Sequence, residues 1–129
     1  MQIKMEVMMP AKILICDDDE GILDLVELVL KEEGYEVIPE INSLNVANLV
    51  GSEHPDLLVL DLWMPVLSGD QVLRNLRKDP TTKNLPVMVI SASGDGKTIA
   101  MNAGANDFIP KPFDLDQLLG RVKALLEAA

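Results

Sequence analysis

Residues 55–65 read Pro55-Asp56-Leu57-Leu58-Val59-Leu60-Asp61-Leu62-Trp63-Met64-Pro65. Four consecutive apolar side chains stop at a carboxylate. A strand with one wet face alternates apolar with polar, so an unbroken apolar run this short marks a strand covered on both faces. The run 57–60 has counterparts at 12–16, 36–39, 87–90 and 107–109. Between them lie segments of helical periodicity. Ile22, Leu25, Val26 and Val29 share one helical spacing, and Gly34 stands where a C-terminal cap belongs. A weaker helix is expected near 45–50. Ser68 with Gln71 three residues on has the form of a capping box ahead of Val72, Leu73 and Leu76, and Asp114 with Gln117 has a similar form. Leu115, Leu118, Leu119, Val122, Leu125 and Leu126 then share one face of a last helix.

The order is βα repeated five times. Right-handed crossovers turn that pattern into a parallel sheet with helices on both faces. The expected fold class is therefore α/β, a doubly wound flavodoxin-like (βα)5 arrangement with strand order 2-1-3-4-5. In that order strands 1 and 3 are neighbours. Ligands in open sheets of this kind bind beyond the carboxyl ends of the strands, where the winding reverses, so the residues that follow each strand carry the function.

The chain has 129 residues, enough for one hydrophobic core, and divides into a short extension over residues 1–10 and a single domain over 11–129. Eleven Lys and Arg against 21 Asp and Glu give a net charge of -10, which repels nucleic-acid phosphate, so direct DNA or RNA binding is not expected. Aromatic residues are only 3%, too few for a base-stacking platform. The single cysteine, Cys16, lies in an apolar run and reads as a small core residue, in keeping with a reducing cytoplasm. Residues 1–10 lack the apolar core of a signal peptide, and no membrane span is evident.

Strand 1 ends at Asp17, Asp18, Asp19 and Glu20, and strand 3 ends at Asp61. Carboxylates about 5 Å apart repel by roughly 3 kcal/mol per pair at an effective dielectric near 20, so a cluster there requires a cation. All-oxygen ligation suits Mg²⁺, and with His54 the only histidine a zinc site is not expected. The plainer reading is that the acidic run caps the first helix, where negative charge favours the dipole. Ser91 after strand 4 and Lys111 after strand 5 fall on the same sheet edge. Together these residues offer a nucleophilic carboxylate, metal ligands, a cation and a hydroxyl donor around one point, the parts of an aspartyl-phosphate site.

The runs Ile13-Leu14-Ile15-Cys16-Asp17-Asp18-Asp19-Glu20, Pro55 through Pro65, Val89-Ile90-Ser91-Ala92 and Ala103-Gly104-Ala105-Asn106-Asp107-Phe108-Ile109-Pro110-Lys111-Pro112-Phe113 closely resemble the receiver domains of bacterial response regulators, over residues 11–127. The resemblance implies that Asp61 is the phosphoacceptor in a two-component system or phosphorelay. It implies that Asp18 contacts Mg²⁺ directly, with Mn²⁺ a substitute, that Asp17 helps to hold it, and that the Trp63 backbone carbonyl is a further ligand. Lys111 would pair with Asp61 and then with the phosphoryl oxygens. Ser91 and Phe108 would form the switch, and Lys111-Pro112 would be a cis peptide.

The implied partners are a sensor histidine kinase or histidine phosphotransfer protein, a downstream protein and, on phosphorylation, a second copy of the chain. Such a domain modifies itself and is not an enzyme in the ordinary sense. It is either a stand-alone receiver or a piece of a longer regulator or hybrid kinase.

Three features depart from the family's pattern. Phe108 lacks the hydroxyl of a switch tyrosine and reads equally well as a packed core aromatic. The segment 91–104 carries Gly94 and Gly96 and is short, so a short or mobile fourth helix is expected. Trp63 and Ser93 flank the reactive centre without an acid or amide to position water, which suggests that Trp63 shields the acyl phosphate. A non-phosphorylated pseudo-receiver acting purely as an interaction module is the alternative. A haloacid-dehalogenase-type phosphatase would need a second carboxylate two residues after the nucleophile, where Trp63 stands.

Overall fold

The computed structural model describes residues 9–128, so positions 1–8 of the expected extension lie outside the described residues. The elements are β1 (Lys12–Cys16), α1 (Glu20–Glu32), β2 (Glu36–Glu40), α2 (Val46–Glu53) with a 3-10 turn (Ser43–Asn45) leading into it, β3 (Leu57–Asp61), α3 (Gly69–Lys78), β4 (Val87–Ser91), α4 (Gly96–Ala103), β5 (Asp107–Pro110) and α5 (Leu115–Ala128). All strand pairs are parallel and the order is β2-β1-β3-β4-β5. The doubly wound fold expected from the sequence is the fold observed.

Alternation within each strand sends residues to two cores. Leu14, Cys16, Leu58, Leu60, Val87 and Val89 pack on one face with Val46 and Val50 of α2, Val72, Leu73 and Leu76 of α3, and Ala100 and Ala103 of α4. Ile13, Ile15, Leu57, Val59, Met88 and Ile90 pack on the other with Leu23, Val26 and Leu30 of α1 and Leu118 and Val122 of α5. Thus β3 and β4 are buried at every position, whereas the edge strands β2 and β5 are partly exposed.

Local details differ from the sequence reading in two places. The buried face of α1 is Leu23, Val26 and Leu30, and Leu25 is exposed, because the helix turns a quarter-turn further towards the sheet than the spacing of Ile22, Leu25 and Val29 suggests. Ser68 is the N-cap of α3 but makes no capping bond, and its hydroxyl donates instead to Asp70 Oδ1 at 2.6 Å. A tertiary bond replaces the box, since Gly69 N donates to Leu62 O at 2.8 Å. At α5 the Asp114 carboxylate does accept from Asp116 N at 2.9 Å. Gly34 adopts φ 97° just past α1, as a left-handed C-terminal residue should, and α4 is a short helix of 8 residues.

Candidate functional site

Register places the site. Cys16 pairs with Leu60 and Asp61 with Ile90, so Asp17 and Asp61 emerge side by side one step beyond β1 and at the end of β3. Ser91 pairs with Pro110 at the ends of β4 and β5, and Lys111 N donates to Ser91 O at 2.8 Å, which fixes the start of the Lys111 side chain. Carboxylate oxygens of Asp17, Asp18 and Asp61 lie within 4.8 Å of one another. Lys111 Nζ reaches between them, 3.0 Å from Asp17 Oδ2 and 3.3 Å from Asp61 Oδ1.

The acidic run divides its labour. Asp19 caps α1, accepting from Gly21 N at 2.9 Å and Ile22 N at 3.2 Å. Asp17 Oδ1 accepts from Asp19 N at 2.9 Å, which turns its other oxygen towards the cluster. The run is therefore divided: Asp19 caps the helix, and Asp17 and Asp18 lie beside Asp61.

Asp17 is fully buried and Asp61 is 4% exposed. Asp17 Oδ2, inside the protein, is met only by the Lys111 ammonium, which it shares with Asp61. Burial and the neighbouring Asp17 charge push the Asp61 carboxyl up to about 7 against the opposing pull of Lys111. Burial works against the Lys111 ammonium, but Asp17 and Asp61 outweigh it and hold its pKa above the ordinary lysine value. One ammonium faces three carboxylates. The excess of carboxylate oxygens over cationic partners forms a donor set suited to a hard divalent cation.

Residues 13–123 match the family described as response regulator receiver domain. The chain belongs to that family. The receiver is 39% identical over 117 residues to the DNA-binding dual master transcriptional regulator RpaA of Synechocystis, covering 89% of this chain and 48% of that protein. It is 39% identical over 120 residues to the response regulator MprA of Mycolicibacterium vanbaalenii, covering 92% and 51%. The chain thus spans about half the length of the curated relatives it matches. Among solved structures, the receiver domain of NtrX from Brucella abortus superposes with a TM-score of 0.83 at 33% identity, covering 91% of this chain and 99% of that one.

The remaining candidates lie on β4, β5 and the loops after β3 and β5. Trp63 is 49% exposed on the loop after β3. Ser91 is buried, and its Oγ accepts from Ser93 N at 3.0 Å. Phe108 is half-buried and packs against the core beside α4. Lys111-Pro112 is cis. Burial, with Glu40 and Asp17 adding to it, pushes the Cys16 thiol up to about 12, as befits an inert core residue.

Sequence reasoning missed Gly69. A side-chain carbon there would stand 2.2 Å from the Asp61 carbonyl oxygen, so only glycine lets α3 begin against the end of β3. A glycine eight positions after an acidic strand end was the available signal. Among the described residues no helix is long and apolar enough to cross a membrane.

Proposed function

We propose that this receiver accepts a phosphoryl group on Asp61 from the phosphohistidine of a sensor kinase or histidine phosphotransfer protein. The reading is carried by one observation, the contact of Lys111 Nζ with both Asp61 Oδ1 and Asp17 Oδ2 inside the acidic cluster. An Asp61 oxygen attacks phosphorus as the phosphorus–nitrogen bond breaks and the imidazole leaves with the bonding pair. Lys111, already pointed at the acceptor, pairs with the oxygens of the transferred group. Ser91 donates its hydroxyl hydrogen to one of them.

Magnesium, or manganese in its place, fits the donor set of Asp17, Asp18, Asp61 and the Trp63 carbonyl, and when bound would neutralise charge on the phosphoryl oxygens. The added phosphate charge then shifts the population of two surfaces through Ser91 and Phe108, for a protein partner or a second copy to read.

RpaA is named as DNA-binding, whereas this chain carries a net charge of -10. In our reading the receiver serves as a cytoplasmic input domain, and contact with DNA, where it occurs, falls to other parts of such a regulator. Incubation with acetyl phosphate and Mg²⁺ followed by intact mass should show one added phosphoryl group, absent without the metal and absent in Asp61→Asn. An unmodified wild-type protein would leave only the pseudo-receiver.

A further inference from the structure

A hollow of about 490 Å³ lies against the reactive edge, between the start of α1 and the segment that joins β5 to α5. Ile22, Leu25, Phe113 and Leu115 give it apolar walls, and Ala92 and Lys111 line it as well. Ile22, Phe113 and Leu115 pack on the core that α1 and α5 share, so those walls are fixed before anything enters. A preformed apolar cleft of this size with few polar groups has the usual make-up of a small-molecule site.

The lining residues tie the hollow to the acceptor. Lys111 Nζ stands 3.3 Å from Asp61 Oδ1. Ala92 directly follows Ser91, and Ile22 N donates to Asp19 Oδ1 at 3.2 Å, one residue along from Asp18. The hollow therefore begins beside Asp61 and leads outward along α1 to the exposed Leu25. In-line transfer puts the leaving group on the side of phosphorus away from the attacking oxygen. A tail on that leaving group points out of the acidic cluster.

We propose that this hollow takes the hydrocarbon tail of a small phosphoryl donor, so that Asp61 accepts from acyl phosphates and prefers tails longer than that of acetyl phosphate. The proposal rests on the phosphoryl-acceptor reading of Asp61 and names a donor class for it. An Asp61 oxygen attacks phosphorus, the bond from phosphorus to the bridging oxygen breaks, and the carboxylate of the acid leaves with the bonding pair. Charge balances with no proton moved. The tail meets Ile22, Leu25 and Phe113 alike before and during transfer, so its contacts lower KM and leave kcat unchanged.

Initial rates of modification of the whole 129-residue chain with Mg²⁺, read by intact mass, test this with acetyl, butyryl and hexanoyl phosphate and with phosphoramidate, which has no tail. The straight-chain acids are leaving groups of nearly equal strength, so differences along the series report on the tail. A methylene wholly withdrawn from water is worth about fourfold. In a hollow open on one side, butyryl phosphate at limiting concentration should react about fivefold faster than acetyl phosphate, and hexanoyl phosphate faster again. Leu25→Ser removes the outer wall and should bring butyryl phosphate to within about twofold of acetyl phosphate, with the phosphoramidate rate unchanged. Leu28→Ser, exposed on the same helix but outside the hollow, should keep the wild-type preference.

Equal rates for the three acyl phosphates in a wild type that takes up phosphoryl overturn the inference and leave Asp61 as acceptor, and the hollow then falls to an apolar side chain of a protein donor. No uptake from any donor, phosphoramidate included, overturns both readings. A preference that the two serine variants keep alike, or lose alike, places the tail elsewhere and sinks the proposal. If Leu25→Ser does not fold, amide resonances of labelled wild type decide the matter. Ile22, Leu25 and Phe113 should shift more with hexylphosphonate, which cannot transfer its phosphorus, than with methylphosphonate, and equal shifts count against the hollow.

Discussion

Val66 is 85% exposed at φ 71°, and Leu67 N donates across it to Pro65 O at 2.8 Å. That is a γ-turn with a β-branched residue at its centre, a conformation that costs stability and that burial does not offset here. Val66→Gly, free of the side-chain carbon that makes positive φ costly, should raise stability by about 1 kcal/mol in urea unfolding. An unmoved midpoint would mean that the turn is not strained. Trp63, three residues earlier, stands half-exposed over the reactive loop, and shielding of the acyl phosphate from water predicts faster loss of label in Trp63→Ala. Equal lifetimes would remove that role. At this scale the sequence shows residue types but not their division of labour: Asp17, Asp18 and Asp19 are chemically alike, and only in the fold does Asp19 take Gly21 N and Ile22 N while Asp17 takes Asp19 N.

Arg77, near the end of α3, ties together segments far apart in the chain. Its Nε donates to Gly104 O at 2.9 Å, Nη1 to Leu85 O at 2.8 Å and Nη2 to Asn106 Oδ1 at 3.0 Å. Asn106 Oδ1 also accepts from Val87 N at 2.8 Å, so the guanidinium fork holds the entry to β4 and the turn before β5. A lysine has one nitrogen to offer these acceptors. Arg77→Lys should cost about 2 kcal/mol of stability in denaturant titration while leaving acetyl phosphate uptake by Asp61 unchanged, since the clamp works at the opposite strand ends. A loss of uptake without a loss of stability would place Arg77 in the chemistry instead. Nothing local announces such a clamp, because its acceptors, backbone carbonyls and the Asn106 side chain, are brought together only by the fold. The strands were legible in their apolar runs, yet β2 through β5 each extend one residue further than those runs, to Glu40, Asp61, Ser91 and Pro110. Backbone pairing is indifferent to side-chain polarity, as Leu62 N to Ile90 O and Asp17 N to Glu40 O show. Two of those extra positions, Asp61 and Ser91, carry the groups we propose as acceptor and switch hydroxyl.

Across the whole molecule, the metal-free site couples charge to folding. The Asp61 carboxyl is pushed up to about 7, chiefly by burial and by Asp17, while in the unfolded chain it titrates near its ordinary value of about 4. Between those values the folded state holds a proton that the unfolded state has released, so stability falls as pH rises through this window and levels off above it. The steepest slope is on the order of 1 kcal/mol per pH unit. A cation that binds only the folded cluster opposes this loss, and because it competes with the Asp61 proton its effect should be small near pH 5 and full above pH 7. In EDTA the urea midpoint should therefore drop from pH 5 to pH 7, and Mg²⁺ should flatten the curve. Asp61→Asn keeps the shape without the charge, so in EDTA at pH 7.5 it should be more stable than wild type, with a shallower pH slope and a much reduced Mg²⁺ response. That variant separates the site from the general repulsion of a chain with net charge -10, which both proteins share apart from one carboxylate. Equal slopes in the two proteins would show that Asp61 is not the group that titrates, and that the acidic cluster destabilises the fold less than its burial implies.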